Sequence, residues 1–66
     1  MAAEKLLTLD EVAERLGVNV ETVRRWVRNG EIEVIDLGGR AGYRVTELAL
    51  ERFIRSRIRP VRDEDP

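Results

Sequence analysis

Residues 18–30 read VNVETVRRWVRNG. This stretch decides the fold because it carries a complete short helix with its own start and stop. Asn19 is a preferred helix N-cap, and Glu21 suits the positive end of the helix dipole. Val20, Val23, Trp26 and Val27 fall within one third of the helical wheel. Glu21, Arg24, Arg25 and Arg28 fall on the other side. Gly30 supplies the left-handed position that closes such a helix. The spacing predicts a helix over about 20–29, with one face for a core and one basic face turned outward.

Upstream, Leu7-Thr8-Leu9-Asp10-Glu11-Val12 is a helix start. Thr8 followed three residues later by Glu11 is a capping box, and Leu7 with Val12 has the spacing of a hydrophobic staple. Leu9, Val12, Ala13 and Leu16 share one face; Asp10, Glu11, Glu14 and Arg15 lie opposite. Gly17 ends the helix at about 16 or 17, and only Val18 separates it from the next cap. Two short amphipathic helices joined by a tight, glycine-containing turn are the signature of a helix-turn-helix.

Downstream, Ile32, Val34, Ile35 and Leu37 form a β-rich run, residues 38–42 a glycine-rich turn, and Tyr43-Arg44-Val45 a return strand. Val34 and Ile35 are both apolar, which leaves the register open by one residue. Thr46 caps a third helix, in which Ala49, Leu50, Phe53 and Ile54, extended by Ile58, share a face. Leu48 points the other way. Pro60 stops that helix. The predicted fold is mainly α with a small β-hairpin, a winged helix-turn-helix in the order α-turn-α-β-β-α. Its expected bounds are a flexible end over 1–5, the domain over 6–59 and a flexible acidic tail over 60–66.

Sixty-six residues allow one domain with a small core. The chain has no cysteine and no histidine. Disulfides and thiolate sites are therefore excluded, and so are the commonest general base and the commonest zinc ligand. The carboxylates lie on solvated faces, so the chain is read as a non-enzyme with no cofactor and no metal. No apolar run marks a membrane span or a signal peptide, which makes a cytoplasmic, nucleoid-associated setting the expectation. The net charge of −1 argues against a polyanionic partner. The distribution argues for one: from 17 to 62 there are ten arginines against six acids.

The blocks that carry a family resemblance are LTLDEVAERLGV from residue 7, Thr22-Val23, WVRNGEI from residue 26, LGGRAGYRV from residue 37, and Glu51-Arg52-Phe53-Ile54. In this order and at this spacing the chain resembles the excisionase-like branch of the MerR-type winged helix-turn-helix proteins, over about residues 6–56. The resemblance implies double-stranded DNA as the partner, the second helix in the major groove and the 34–45 hairpin as a wing. It points to a transcriptional regulator or a recombination-directionality factor of the excisionase kind. Ala41 and Gly42 stand where some members carry bases, which leaves Arg40 and Arg44 as the wing's cations.

The expected DNA-binding residues are Asn19, Glu21, Thr22, Arg24, Arg25, Arg28, Arg40, Tyr43 and Arg44. Arg24 and Arg25 are read as base readers or phosphate clamps, and Arg28 as a phosphate contact or a dipole partner. A threonine methyl meets thymine and an asparagine pairs with adenine, although Asn19 is first a cap. Glu21 either pairs with Arg25 or accepts from cytosine. Tyr43 either packs on the second helix or touches phosphate. Trp26 belongs to the core. The bases Arg52, Arg55, Arg57, Arg59 and Arg62 have three open roles: phosphate contact, subunit contact or solubility. Self-association is expected only cooperatively on DNA, with no small-molecule effector. The rival from another class is a protein-interaction adaptor that keeps the fold without binding DNA.

Overall fold

Thr8 starts the first helix by the predicted reciprocal bonds. Its hydroxyl accepts from the Glu11 N–H at 3.0 Å, and the Glu11 carboxylate accepts from the Thr8 N–H at 2.9 Å. The computed structural model describes residues 5–60. In order these form β1 (Leu6–Leu7), α1 (Leu9–Leu16), α2 (Val20–Arg28), β2 (Ile35–Asp36), a 3-10 turn (Gly39–Ala41), β3 (Tyr43–Thr46) and α3 (Glu47–Arg57). The expectations for residues 1–4 and 61–66 lie outside the described residues.

Two left-handed glycines bracket α2. Gly17 has φ +70, its N–H donates to the Glu14 carbonyl, and the next N–H, of Val18, donates to Ala13 at 3.0 Å. The pattern repeats at the other end, where Gly30 has φ +71, its N–H donates to Val27 and Glu31 N–H donates to Trp26 at 2.8 Å. Each is a Schellman closure, which satisfies carbonyls the helix would otherwise leave orphaned. A side chain at either glycine would meet nothing within 4 Å. The demand for glycine is therefore conformational rather than spatial.

The sheet departs from the sequence reading in two ways. It has three antiparallel strands in the order β1-β3-β2, where a two-stranded hairpin was expected. Leu6 and Leu7 pair with Thr46 and Val45. Leu7 thus belongs to a strand as well as standing before the α1 cap. The wing strand is also shorter than the 32–37 run implied. Only Ile35 and Asp36 pair with β3, opposite Arg44 and Tyr43. Ile32 is buried as a core residue in the loop after α2, and Val34 packs against the core while Ile35 is exposed, which settles the register.

The least exposed side chains are Leu7, Val12, Val23 and Val45, one each from β1, α1, α2 and β3. Ala13, Ile32, Ala49, Leu50 and Phe53 complete the cluster, with Val20, Trp26 and Val27 half-buried against it. The expected broad apolar face of α3 is narrower than predicted. Ala49, Leu50 and Phe53 are buried, but Ile54 and Ile58 are 40% and 71% exposed. Arg15 of α1 clamps Glu47 of α3 through both guanidinium nitrogens at 2.9 and 2.8 Å. No helix among the described residues is long and apolar enough to cross a membrane.

Because β1 carries Leu7 into the centre of this core, Leu7→Ala is expected to cost about 2–5 kcal/mol. That is a large share of the ~5–15 kcal/mol that stabilises a typical domain. Urea unfolding followed by far-UV circular dichroism would show the midpoint falling sharply; an unchanged midpoint would remove β1 from the core.

Candidate nucleic-acid interface

Helix α2 can bury Val23 completely only by turning its other side out. At about 100° per residue, Glu21, Arg25 and Arg28 then cluster within roughly 60° on the outer face. Arg24 sits at one edge of that face and Thr22 at the other. Asn19 caps the helix: its Oδ1 accepts from the Glu21 N–H at 2.8 Å. The cap occupies the oxygen and leaves the amide NH2 of Asn19 to donate. Thr22 is half-buried at the start of the helix, and its N–H donates to the Asn19 carbonyl at 2.9 Å.

Glu21 pairs with Arg24, one turn along, and not with Arg25 as the i,i+4 spacing suggested. Both spacings bring side chains together on a helix. Here Arg24, at the edge of the basic face, takes the carboxylate, and Arg25 makes no ion pair among the described residues, although its charge helps to lower the Glu31 carboxyl. Of the ten described arginines, five make ion pairs: Arg15, Arg24, Arg52, Arg55 and Arg57. Arg25, Arg28, Arg40, Arg44 and Arg59 make none. Four of these five belong to the predicted site.

The wing has its own internal bracing. The Asp36 carboxylate accepts from the Gly38 N–H at 2.9 Å, and Leu37 N–H donates to the Gly42 carbonyl at 2.8 Å. Arg40 stands exposed on the 3-10 turn, and Tyr43 on β3 is 42% exposed. Arg44 is half-buried, and its Nη1 donates to the carbonyls of Ala41 and Tyr43 at 2.7 and 2.9 Å. It therefore holds the turn in shape. The predicted residues thus form two groups, one on α2 and one on the wing, with no hydrogen bond or ion pair between them among the described residues.

The series after residue 51 is less available than its composition suggested. Arg55 pairs with Glu51 at 3.2 Å and Arg52 lies 3.7 Å from Glu33. Arg57 bonds the Glu31 carboxylate and lies over the rings of Phe53 and Trp26, at 4.7 and 5.8 Å from their centroids. The two rings contact each other at 4.8 Å. Trp26 is thereby a packing residue, held under a cation rather than open to stack on a base. Asn29 also donates to Glu31, at 3.2 Å. Glu31 and Arg57 tie the end of α2 to α3, a role that sequence spacing did not show because 26 residues separate them.

These bonds set the titration of three carboxyls. The Arg57 guanidinium, then the Asn29 amide, hold the Glu31 carboxyl below its usual range. Arg15 does the same to Glu47 and has its own basicity raised in return. The Thr8 N–H lowers Glu11. Among the described residues, no group of three His, Cys, Asp or Glu could hold a metal. A family model described as a helix-turn-helix domain matches residues 6–58. Neither the curated proteins nor the solved structures contain a match to the chain.

Carboxyls whose acidity is strengthened by folding add stability above their unfolded value, and that stability is lost as pH falls through the folded one. Stability should therefore drop as pH falls below about 4.3, the ordinary glutamate value. The loss from Glu47→Gln should be largest at pH 7 and shrink as pH falls through the lowered Glu47 value, read as urea midpoints at each pH. A mutant penalty that does not depend on pH would mean the Arg15 contact is not ionic.

Proposed function

Since the chain belongs to the helix-turn-helix domain family, a family of small DNA-binding proteins, we propose that it is a sequence-specific binder of double-stranded DNA. Its task is to occupy chosen sites as a transcriptional regulator or as a recombination-directionality factor. The observation that carries this reading is the division of the arginines. Arg25 and Arg28 on the outer face of α2 and Arg40 and Arg44 on the wing make no ion pair among the described residues, while Arg15, Arg52, Arg55 and Arg57 elsewhere each have an acid partner. Glu21 is the acid on the outer face of α2, and it pairs with Arg24 at the edge of that face.

In this reading α2 enters the major groove, where a guanidinium can bind guanine O6 and N7 together. Arg25, near the middle of the outer face, is the reader. Thr22 offers a methyl to thymine, and Asn19 donates from its free amide. Arg28 and Arg40 hold phosphates and set the register without reading sequence. Arg24 reaches phosphate by exchanging it for Glu21. Arg44 keeps the wing rigid, so that Arg40 and Tyr43 meet the backbone in a fixed place. The adaptor alternative lacks an observation that explains the unneutralised bases.

With Arg24, Arg28 and Arg40 on phosphates, log affinity falls with log salt at a slope of about −3. Arg28→Ala and Arg40→Ala should weaken binding to every duplex alike and each reduce that slope by about 1. Arg25→Ala should cost about 1–3 kcal/mol on the preferred site and relax selection at one base pair. Fluorescence anisotropy on selected and random duplexes, at several salt concentrations, measures all three. Equal affinity for both duplexes would end the claim of specificity, and no binding to either would end the claim of DNA binding.

A further inference from the structure

Helix α3 has a second stripe besides the one it buries. Leu48, Ile54 and Ile58 are 49%, 40% and 71% exposed, with Glu51 and Arg55 between them. Ile54 and Ile58 form a ridge between two open grooves. Leu48 and Leu50 line one; Leu16, Val18 and Trp26 line the other. None of the nine residues assigned to DNA lines either groove. An apolar ridge beside apolar grooves on so small a chain is a surface that water covers poorly.

The order of residues along the stripe says what fits it. Glu51 and Arg55 stand two positions before and after Phe53, and Leu48 and Ile58 stand five before and after. Two such helices running antiparallel about a two-fold axis at the level of Phe53 place Glu51 opposite Arg55 and Leu48 opposite Ile58. The symmetry makes each contact twice. Ile54, beside the axis, meets its own counterpart. Within one chain Glu51 and Arg55 already pair at 3.2 Å, so they exchange one exposed partner for another of the same sign. A partner carrying a single sign of charge would leave either Glu51 or Arg55 opposed by its own kind.

We propose that the outer stripe of α3 is the contact between two copies of this chain, packed antiparallel across a two-fold axis. The contact itself does not depend on the DNA reading, while its use on a duplex rests on that reading. The contact is short: eleven residues of helix span about 16 Å. One short helix on each side makes a small contact beside the ~1,200 Å² at which specific stable interfaces begin, so the pair is weak in free solution. Two copies held on neighbouring sites of one duplex reach a high effective concentration, and the same weak contact then closes. A two-fold pair reads an inverted repeat, because the symmetry of the protein is repeated in its site.

Sedimentation equilibrium of the full chain, from about 10 µM to about 1 mM, brackets weak association of this kind. The average mass should rise toward twice the chain mass. Ile54→Asp should raise the dissociation constant at least about tenfold, as expected for losing a buried branched side chain. Its circular dichroism should not change. Glu51→Arg alone and Arg55→Glu alone should each weaken the pair, and the two together should restore it. The restoration separates a cross-helix contact from simple loss of fold. A chain monomeric throughout the range overturns the proposal. So does a dimer indifferent to these substitutions, or a double reversal that folds but fails to pair. A chain monomeric when whole and dimeric without residues 61–66 would mean that its own end covers the stripe, and would overturn it equally.

Discussion

The burial of Val23 fixes how α2 is turned and, with it, which side chains the molecule presents. A chain of this length has few apolar side chains to spare, and Val23 joins Leu7, Val12 and Val45 as one of the four least exposed. Once that side of α2 is turned inward, the helix has no rotational freedom left. Its Glu21, Arg25 and Arg28 side must face outward, whatever it is for. The two Schellman closures at Gly17 and Gly30 limit how far the helix can extend or shift along its own axis. Position and rotation of the basic face are thus by-products of core packing, which is how a small scaffold holds a rigid reading surface.

Charge is organised by the same packing. The net charge of −1 counts against a polyanionic partner only if acids and bases mix freely over the surface. They do not. Glu47, Glu51, Glu31 and Glu33 are placed by α3 and the loop before β2 where they meet Arg15, Arg55, Arg57 and Arg52. These exposed pairs contribute little each to stability. Their effect on the field matters more. They neutralise the flank of the molecule and leave the outer face of α2 and the wing positive. Arg24 is the exception, held by Glu21 at the rim of that face.

Much of the fold was legible in the sequence because its signals are local. Thr8 with Glu11, Asn19 with Glu21, and Thr46 with Ala49 are capping contacts that span two or three residues. The left-handed glycines sit beside the helices they end. Such features need no knowledge of the rest of the chain. The misreadings share an opposite character. β1 exists only because Leu6 and Leu7 pair with residues about 40 positions away. Ile54 fits the helical period of the core face but lies at its margin, where none of the other described elements covers it. Ile32 fits a strand pattern but is drawn into the core by the loop that follows Gly30.

The candidate site divides along the same line. Residue order already says which side chains share the outer face of α2, since the helical period alone places Arg25 and Arg28 opposite Val23. It also determined that Arg40, Tyr43 and Arg44 sit at a glycine-shaped wing. Which arginines are available was settled by contacts made across the fold. Glu21 chose Arg24 over Arg25, Arg44 turned back on the carbonyls of its own turn, and Arg57 was committed to Glu31, Trp26 and Phe53. The physical reason is range. Helical periodicity and capping act over a few residues and are written in order along the chain. Ion pairing acts through space, and its partners are set by which elements the core brings together.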